Sequence, residues 1–150
     1  MQSKELKLFF NPFKLMMKSK TFFYKENPKT LTVLYNISFL TPEIKKLVIL
    51  YSSIKNDCEY CFENYFTALK EIKFSKEKIN SLKQKNINLS LFSDKEKTVI
   101  EYIDSWFEQN GFTSAVKSRL SDYFTIAQAL EIDALLSTGS FISKFLNLAS

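Results

Sequence analysis

The chain has 150 residues, 45% of them hydrophobic and 15% aromatic, which is enough for one domain with a buried core and too apolar for a disordered chain. Two glycines and three prolines favour long helices over an all-β fold built on tight turns. The net charge of +5 comes almost entirely from scattered lysines, with Arg119 the only arginine, so we expect a solvated lysine surface and no nucleic-acid partner.

Residues 1–27 mix apolar and lysine side chains without a clean helical period, and Pro12 interrupts them. We expect one or two short helices or an N-terminal arm here. Asparagine, proline and lysine break the apolar pieces before they form the core of a secretory signal, and no run in the chain is long enough to span a membrane. The expected compartment is therefore the cytoplasm, without a membrane partner.

The next two helices are marked by proline at their first positions. Asn27–Pro28 begins a helix that ends near Phe39, and Thr41–Pro42 begins another that runs to about Asn56. Residues 47–51 of the second helix are apolar on every side, which is typical of a helix inside a bundle. We expect this helix to be the central one.

Further helix-start signals follow. Asp57 is a suitable cap for a helix that begins at Cys58 and runs to Ile72. Four more helices are predicted, separated in one place by a polar linker at 83–91: a short one from Ser75, one from the capping box of Ser93 and Glu96 to Phe107, one from Thr113 to Leu120, and one from Thr125 to Leu146. No strand-like alternation is present, so the predicted fold class is all-α: a compact bundle of six to eight helices in a single domain, 1–150.

Both cysteines lie in one short motif, Cys58-Glu59-Tyr60-Cys61. Such a pair serves as a redox dithiol, as half of a metal site, or as two small residues of a core. Because the chain has no histidine, imidazole-dependent catalysis is excluded and a zinc site stays two ligands short. We therefore expect no metal and no cofactor.

Helix position and charge act on the pair in opposite directions. At a spacing of three in the first turn of a helix, the two side chains share a face within reach of a disulfide, and the helix N-terminus favours a thiolate. The carboxylates of Asp57, Glu59 and Glu63 oppose it. The cysteines also continue a helical stripe of Tyr65, Ala68, Leu69 and Ile72. Since free cysteine is commonly buried, the spacing alone leaves a redox and a structural interpretation open.

The stretch Ile44–Cys61 is an apolar helix followed by Cys-x-x-Cys at the start of the next helix. It resembles the carboxymuconolactone decarboxylase family and, within it, the alkylhydroperoxidase D-like (AhpD-like) branch. The similarity continues through Phe74–Ile79 and, more weakly, through 92–96. The resemblance implies an all-helical AhpD-like fold, homo-oligomers (dimers, trimers or hexamers) and thiol peroxidase chemistry. It further implies that Cys61 attacks the peroxide, that Cys58 resolves the sulfenic acid into a disulfide, and that a thiol reductant protein reduces this disulfide.

Three positions depart from the peroxidase branch of that family. Lys46 stands where relatives have a glutamate, and Tyr60 and Tyr65 stand where they have histidines, so the proton relay that activates the second cysteine is absent. We hypothesise that Lys46 favours the Cys61 thiolate by its charge and that Tyr60 or Tyr65 donates a hydrogen bond to sulfur. The alternative is that Lys46 points to solvent.

Two functions from different classes remain. The first is a cytoplasmic thiol–disulfide oxidoreductase of antioxidant defence, which acts on a peroxide or on the disulfide of a partner protein. The second is a non-catalytic helical oligomer that retains the fold and uses its cysteines as core residues. A decarboxylase or lactonase role, as found elsewhere in the family, ranks below both because the chain has no histidine for it.

Overall fold

The computed structural model describes residues 39–68, 72, 74–108 and 113–149. In this part of the chain the regular structure is helical throughout, which confirms the all-α prediction. The helices are α1 (Pro42–Lys55), α2 (Glu59–Ala68), α3 (Lys76–Leu82), α4 (Asp94–Phe107), α5 (Ser114–Tyr123) and α6 (Ile126–Ala149), with a 3₁₀ turn at Leu89–Leu91. The predicted N-terminal arm and the helix from Asn27–Pro28 lie outside the described residues.

Residues 39–144 form one compact unit, and it contains every side chain of the site described below. The prediction of a single domain over 1–150 stays a prediction. No helix in the described ranges is both long enough and apolar enough to cross a bilayer.

Helix α1 is the buried helix that its apolar run predicts. It packs against α2 and α4, and it is buried from Ile44 to Ser53. Leu47, Val48 and Leu50 are fully buried. The run after Lys46 therefore has protein on every side, as expected of a helix at the centre of a bundle.

A buried ion pair ties α6 to the start of α1. Lys45 Nζ lies 2.6 Å from Glu131 Oε1, and both side chains are almost completely buried. The second carboxylate oxygen of Glu131 accepts hydrogen bonds from the backbone N–H groups of Phe39 and Leu40, at 2.8 and 3.0 Å. Helix α6 is thus held by charge at one end, well before it reaches the cysteines.

The capping box predicted at the start of α4 is confirmed. Ser93 Oγ accepts from the N–H of Glu96, and the Glu96 carboxylate accepts from the N–H of Ser93. Lys78 Nζ donates to both oxygens of the same carboxylate at 2.7 and 2.8 Å, which joins α3 to α4. Burial alone would raise the pKa of Glu96, but the hydrogen bonds from Lys78 and Ser93 outweigh it and lower that pKa.

Several predicted boundaries need correction. The segment 83–91 is not only a linker, because Asn88 Oδ1 accepts from the N–H of Ser90 and starts the 3₁₀ turn. Thr113 caps α5 as predicted, but the helix continues to Tyr123. The start of α2 is also shifted, and this shift bears directly on the cysteines.

Candidate redox site

The turn between α1 and α2 delivers the first cysteine to the head of α2. Asp57 adopts the left-handed conformation with φ 52°, which reverses the chain after Asn56. The N–H of Asp57 donates to the carbonyl of Ile54 at 3.0 Å, and the N–H of Cys58 donates to the carbonyl of Ser53 at 3.0 Å. These two bonds form a Schellman motif, in which aspartate occupies the position usually held by glycine.

Cys58, and not Asp57, is the N-cap of α2. Its carbonyl accepts the first helical bond, from the N–H of Phe62 at 3.0 Å. Its sulfur lies 3.3 Å from the backbone nitrogen of Cys61, whose N–H donates to it. An N-cap side chain that accepts from the third helical residue satisfies one of the free N–H groups at a helix start. The prediction that Asp57 caps this helix and that Cys58 is its first helical residue is therefore wrong by one position.

The two cysteines are joined by a disulfide. Their Cα atoms are 5.2 Å apart, and both side chains are buried, with exposed fractions of 3% for Cys58 and 4% for Cys61. The three carboxylates that would oppose a thiolate here, those of Asp57, Glu59 and Glu63, belong to solvent-exposed residues. Solvent screening weakens their effect on the buried sulfurs.

Helix α6, which is far from the cysteines in the sequence, packs against the disulfide. Ser143 Oγ lies 3.4 Å from Cys61 Sγ, and the side chain of Ser143 is buried. One helical turn earlier, Ser140 Oγ accepts from Asn56 Nδ2 at 3.1 Å, and the same amide donates to the carbonyl of Ser52 at 2.9 Å. Asn56 thereby fixes α6 against the end of α1 beside the cysteines.

Sequence reasoning missed Ser140 and Ser143 entirely. They lie some eighty residues from the motif, and serine carries no signal of its own in a helix. The one available hint was their spacing of three, which places both hydroxyls on one face of α6.

Lys46 is buried, with an exposed fraction of 3%, so the alternative that it points to solvent is wrong. Its Nζ donates to the carbonyl of Ile72 at 2.7 Å and lies 5.9 Å from the centre of the Phe66 ring. Burial lowers the pKa of Lys46 because removal from water disfavours the ammonium. These contacts lie toward the C-terminal end of α2, and the influence of Lys46 on Cys61 stays a prediction.

The two tyrosines occupy different environments. Tyr60 is partly exposed on the first turn of α2. Tyr65 packs against an apolar cluster formed by Leu50, Phe62 and Ile79. Burial raises the pKa of Tyr65, so its phenol stays protonated and able to donate. A hydrogen bond from either hydroxyl to sulfur stays a prediction.

No protein-family model and no curated protein sequence matches the chain. Among solved structures, it is similar to a protein of unknown function from Agrobacterium tumefaciens that is provisionally assigned as the antioxidant defence protein AhpD. That match has a TM-score of 0.67 at 15% identity and covers 81% of this chain and 88% of the other. The chain has the AhpD-like helical fold.

The AhpD-like fold is also shared with the debrominase Bmp8. The unliganded enzyme matches with a TM-score of 0.70 at 13% identity, covering 91% of this chain and 74% of Bmp8. A point variant of Bmp8 in complex with 2,3,4-tribromopyrrole matches with a TM-score of 0.69 at 11% identity, covering 98% and 86%. At such identities the likeness is one of fold, and the chemistry of this chain rests on its own residues.

Proposed function

We propose that this protein is a thiol–disulfide oxidoreductase of antioxidant defence that cycles Cys58 and Cys61 between dithiol and disulfide. The observation that carries the proposal is the closed pair itself. The two sulfurs are bonded across the first turn of α2, and the capping sulfur of Cys58 accepts a backbone N–H. Both sulfurs lie at the N-terminal end of α2, where the helix dipole favours a thiolate once the disulfide is reduced, and we assign Cys61 as the nucleophile from the family resemblance.

The proposed cycle uses a peroxide as oxidant and a dithiol protein as reductant. The Cys61 thiolate attacks the peroxide, an S–O bond forms and the O–O bond breaks. The leaving oxygen takes up the proton that the Cys61 thiol had released to solvent, so that an alcohol or water departs and a sulfenic acid remains. The Cys58 thiol then attacks the sulfenic acid, so that the S–S bond forms and water leaves. The reductant's thiolate attacks this disulfide and, by exchange, returns both cysteines to thiols while its own two sulfurs become a disulfide.

Other parts of the proposal concern the surroundings of the pair. Lys46 acts on the Cys61 thiolate through its charge, and Tyr60 or Tyr65 donates a hydrogen bond to sulfur. We further propose that the protein works in the cytoplasm as a homo-oligomer. A disulfide of a partner protein is the second substrate class that the same dithiol would serve.

The near-complete burial of both cysteines favours a second candidate function. In that case the protein is a non-catalytic helical oligomer, and the sulfurs are packing atoms of its core. The two candidates differ in one measurable property: an oxidoreductase must admit a small peroxide to Cys61 in the folded state, whereas a structural pair does not.

Thiol counting on folded, fully reduced protein separates the two. We expect both thiols to disappear after addition of one equivalent of hydrogen peroxide, and to return after treatment with a dithiol. Cys58→Ser should stop at a sulfenic acid on Cys61, and Cys61→Ser should retain its single thiol. If both thiols of the wild-type protein persist under native conditions but react after denaturation, the redox proposal fails and the structural one stands.

A further inference from the structure

We propose that Ser143 is a positioning residue for the dithiol, and that its hydroxyl donates to the Cys61 sulfur and stabilises it as a thiolate. The inference deepens the proposed function and rests on it. The chain has no histidine that could favour the thiolate, and the inference gives this role to a neutral hydroxyl on α6. This hydrogen bond affects the charge on one sulfur atom and involves no new substrate.

The direction of the contact follows from the chemistry of the two atoms. Ser143 Oγ and Cys61 Sγ are 3.4 Å apart, within hydrogen-bonding distance for sulfur. A disulfide sulfur carries no hydrogen, so in the oxidised protein the serine hydroxyl is the donor. Ser143 has an exposed fraction of 2%, and a buried hydroxyl without a partner is costly, which makes this bond a firm part of the packing.

Ser143 differs in this respect from the other buried serines near the site. Ser52 and Ser53 direct their hydroxyls back to the carbonyl of Ile49 in their own helix, at 3.1 and 2.8 Å. That is the common use of serine within a helix. The hydroxyl of Ser143 instead bridges two helices and reaches the sulfur of Cys61, the proposed nucleophile.

Reduction of the disulfide strengthens the hydrogen bond from Ser143 to Cys61. When the S–S bond breaks, one sulfur leaves as a thiolate, and a donor that already points at it stabilises the charged form. Hydrogen bonds to ionised groups are stronger than those between neutral groups. Cys58 receives such a bond from the backbone N–H of Cys61, while Cys61 receives it from Ser143. Each sulfur of the pair thus has its own donor, and the second donor can be removed by mutation.

A second buried serine lies one turn earlier on the same face of α6. Ser140 accepts from Asn56, whose amide also donates to the carbonyl of Ser52 in α1. Ser140 makes no described contact with sulfur and is buried like Ser143. Ser140→Ala is therefore a matched control: it removes a buried hydroxyl from the same face of the same helix and leaves the Cys61 contact in place.

The test is a titration of the Cys61 thiolate by its ultraviolet absorbance. It is done in a Cys58→Ser background and corrected with the double cysteine variant, which removes the tyrosine signal. Because absorbance needs no reagent, burial of the sulfur does not limit it. Loss of a hydrogen bond to a charged group raises the midpoint of the titration by about one to two pH units. At pH values below the midpoint, Ser143→Ala should therefore lower the fraction of Cys61 that is thiolate by about tenfold to a hundredfold.

Ser140→Ala should leave that midpoint within a few tenths of a pH unit of the parent. An equal midpoint in Ser143→Ala and Ser140→Ala overturns the proposal. If the alanine variant does not fold, the isosteric pair Ser143→Thr and Ser143→Val makes the same comparison, with the hydroxyl kept in one and lost in the other. Equal midpoints in that pair also overturn it.

The titration is independent of the proposed redox activity, because it requires neither peroxide nor reductant. A shifted midpoint in a protein whose thiols resist peroxide supports the hydrogen bond and refutes the oxidoreductase. An unshifted midpoint in a protein whose thiols are oxidised refutes the role of Ser143 alone.

Discussion

Replacement of Lys46 by methionine tests the proposal that the Lys46 ammonium acts on the Cys61 thiolate through its charge. Methionine keeps most of the length and apolar surface of the lysine stem, so the change removes mainly the ammonium. That group donates to the carbonyl of Ile72 at 2.7 Å in a buried setting. A hydrogen bond that involves a charged group contributes about 1.5–3 kcal/mol, and the relief of a desolvated ammonium offsets part of it, so we expect Lys46→Met to lower the free energy of unfolding by about 1–2 kcal/mol.

The effect on the cysteines is a matter of distance. Phe66, whose ring centre lies 5.9 Å from Lys46 Nζ, follows Cys61 by five residues in α2, so at about 1.5 Å per residue the ammonium lies on the order of 10 Å from Cys61. At an effective dielectric constant of about 20, two unit charges at that distance interact with about 1.7 kcal/mol, equivalent to slightly more than one pH unit. This is an upper bound, since any water near the pair screens it further.

The assay is the ultraviolet titration of the Cys61 thiolate in the Cys58→Ser background, which burial of the sulfur does not limit. Lys46→Met should raise the midpoint of that profile by up to about one pH unit. Lys46→Arg keeps the charge and should leave the midpoint close to that of the wild-type protein. A folded Lys46→Met with an unshifted midpoint would refute the electrostatic reasoning and leave Lys46 as a residue that only secures the Ile72 segment.

Two further predictions concern stability. Burial, and then the hydrogen bonds to Asp104 and Asp133 at 2.6 Å, raise the pKa of Tyr51 and of Tyr102, so both phenols stay protonated in the native state above pH 10, where the unfolded chain ionises. The stabilisation from these two phenols is complete below about pH 10 and is lost as the pH rises above it. Urea midpoints should therefore fall as the pH rises above about 10, and less steeply in Tyr51→Phe and Tyr102→Phe than in the wild-type protein; an unchanged slope would contradict the linkage. Asp57→Gly should raise the free energy of unfolding by up to about 1 kcal/mol, because φ is positive at this position, and Asp57→Val should lower it by at least as much. Equal free energies of unfolding in urea would show that the turn is not strained.

Local signals predicted much of the fold because each depends on a few neighbouring residues. Thr41 followed by Pro42 marks the start of α1, and Ser93 with Glu96 marks the start of α4. The unbroken apolar run in residues 47–51 predicted a helix enclosed on all sides, which is how α1 sits. Capping and periodicity act within one or two turns, so a sequence read in short windows contains them.

The one-residue error at the head of α2 has a physical origin. Aspartate is a good N-cap, and it is also one of the few residues besides glycine that tolerates a left-handed conformation. Both properties fit position 57, and the sequence does not choose between them. The hydrogen bonds that end α1 require a left-handed residue immediately before Cys58, so Asp57 takes that conformation. The sulfur of Cys58 then caps α2.

The surroundings of the cysteines could not be predicted for a different reason. Lys46 was expected either to face solvent or to approach Cys61, and its bond to the carbonyl of Ile72 depends on how the chain returns after α2. The contact between Cys61 and Ser143 depends on the full path of α6. Contacts of this kind depend on how whole helices pack together, so the spacing of residues along the chain does not predict them.

The distance along the chain between Cys61 and Ser143 also has a consequence during synthesis. The two residues are 82 positions apart, so at about 5–20 residues per second the cysteines leave the ribosome roughly 4–16 s before the helix that covers them is complete. For that interval the newly made dithiol is uncovered, and whichever oxidant or reductant it meets acts on an open turn. The cysteine pair is therefore exposed to the oxidants and reductants around the nascent chain before the helix that buries it has been made.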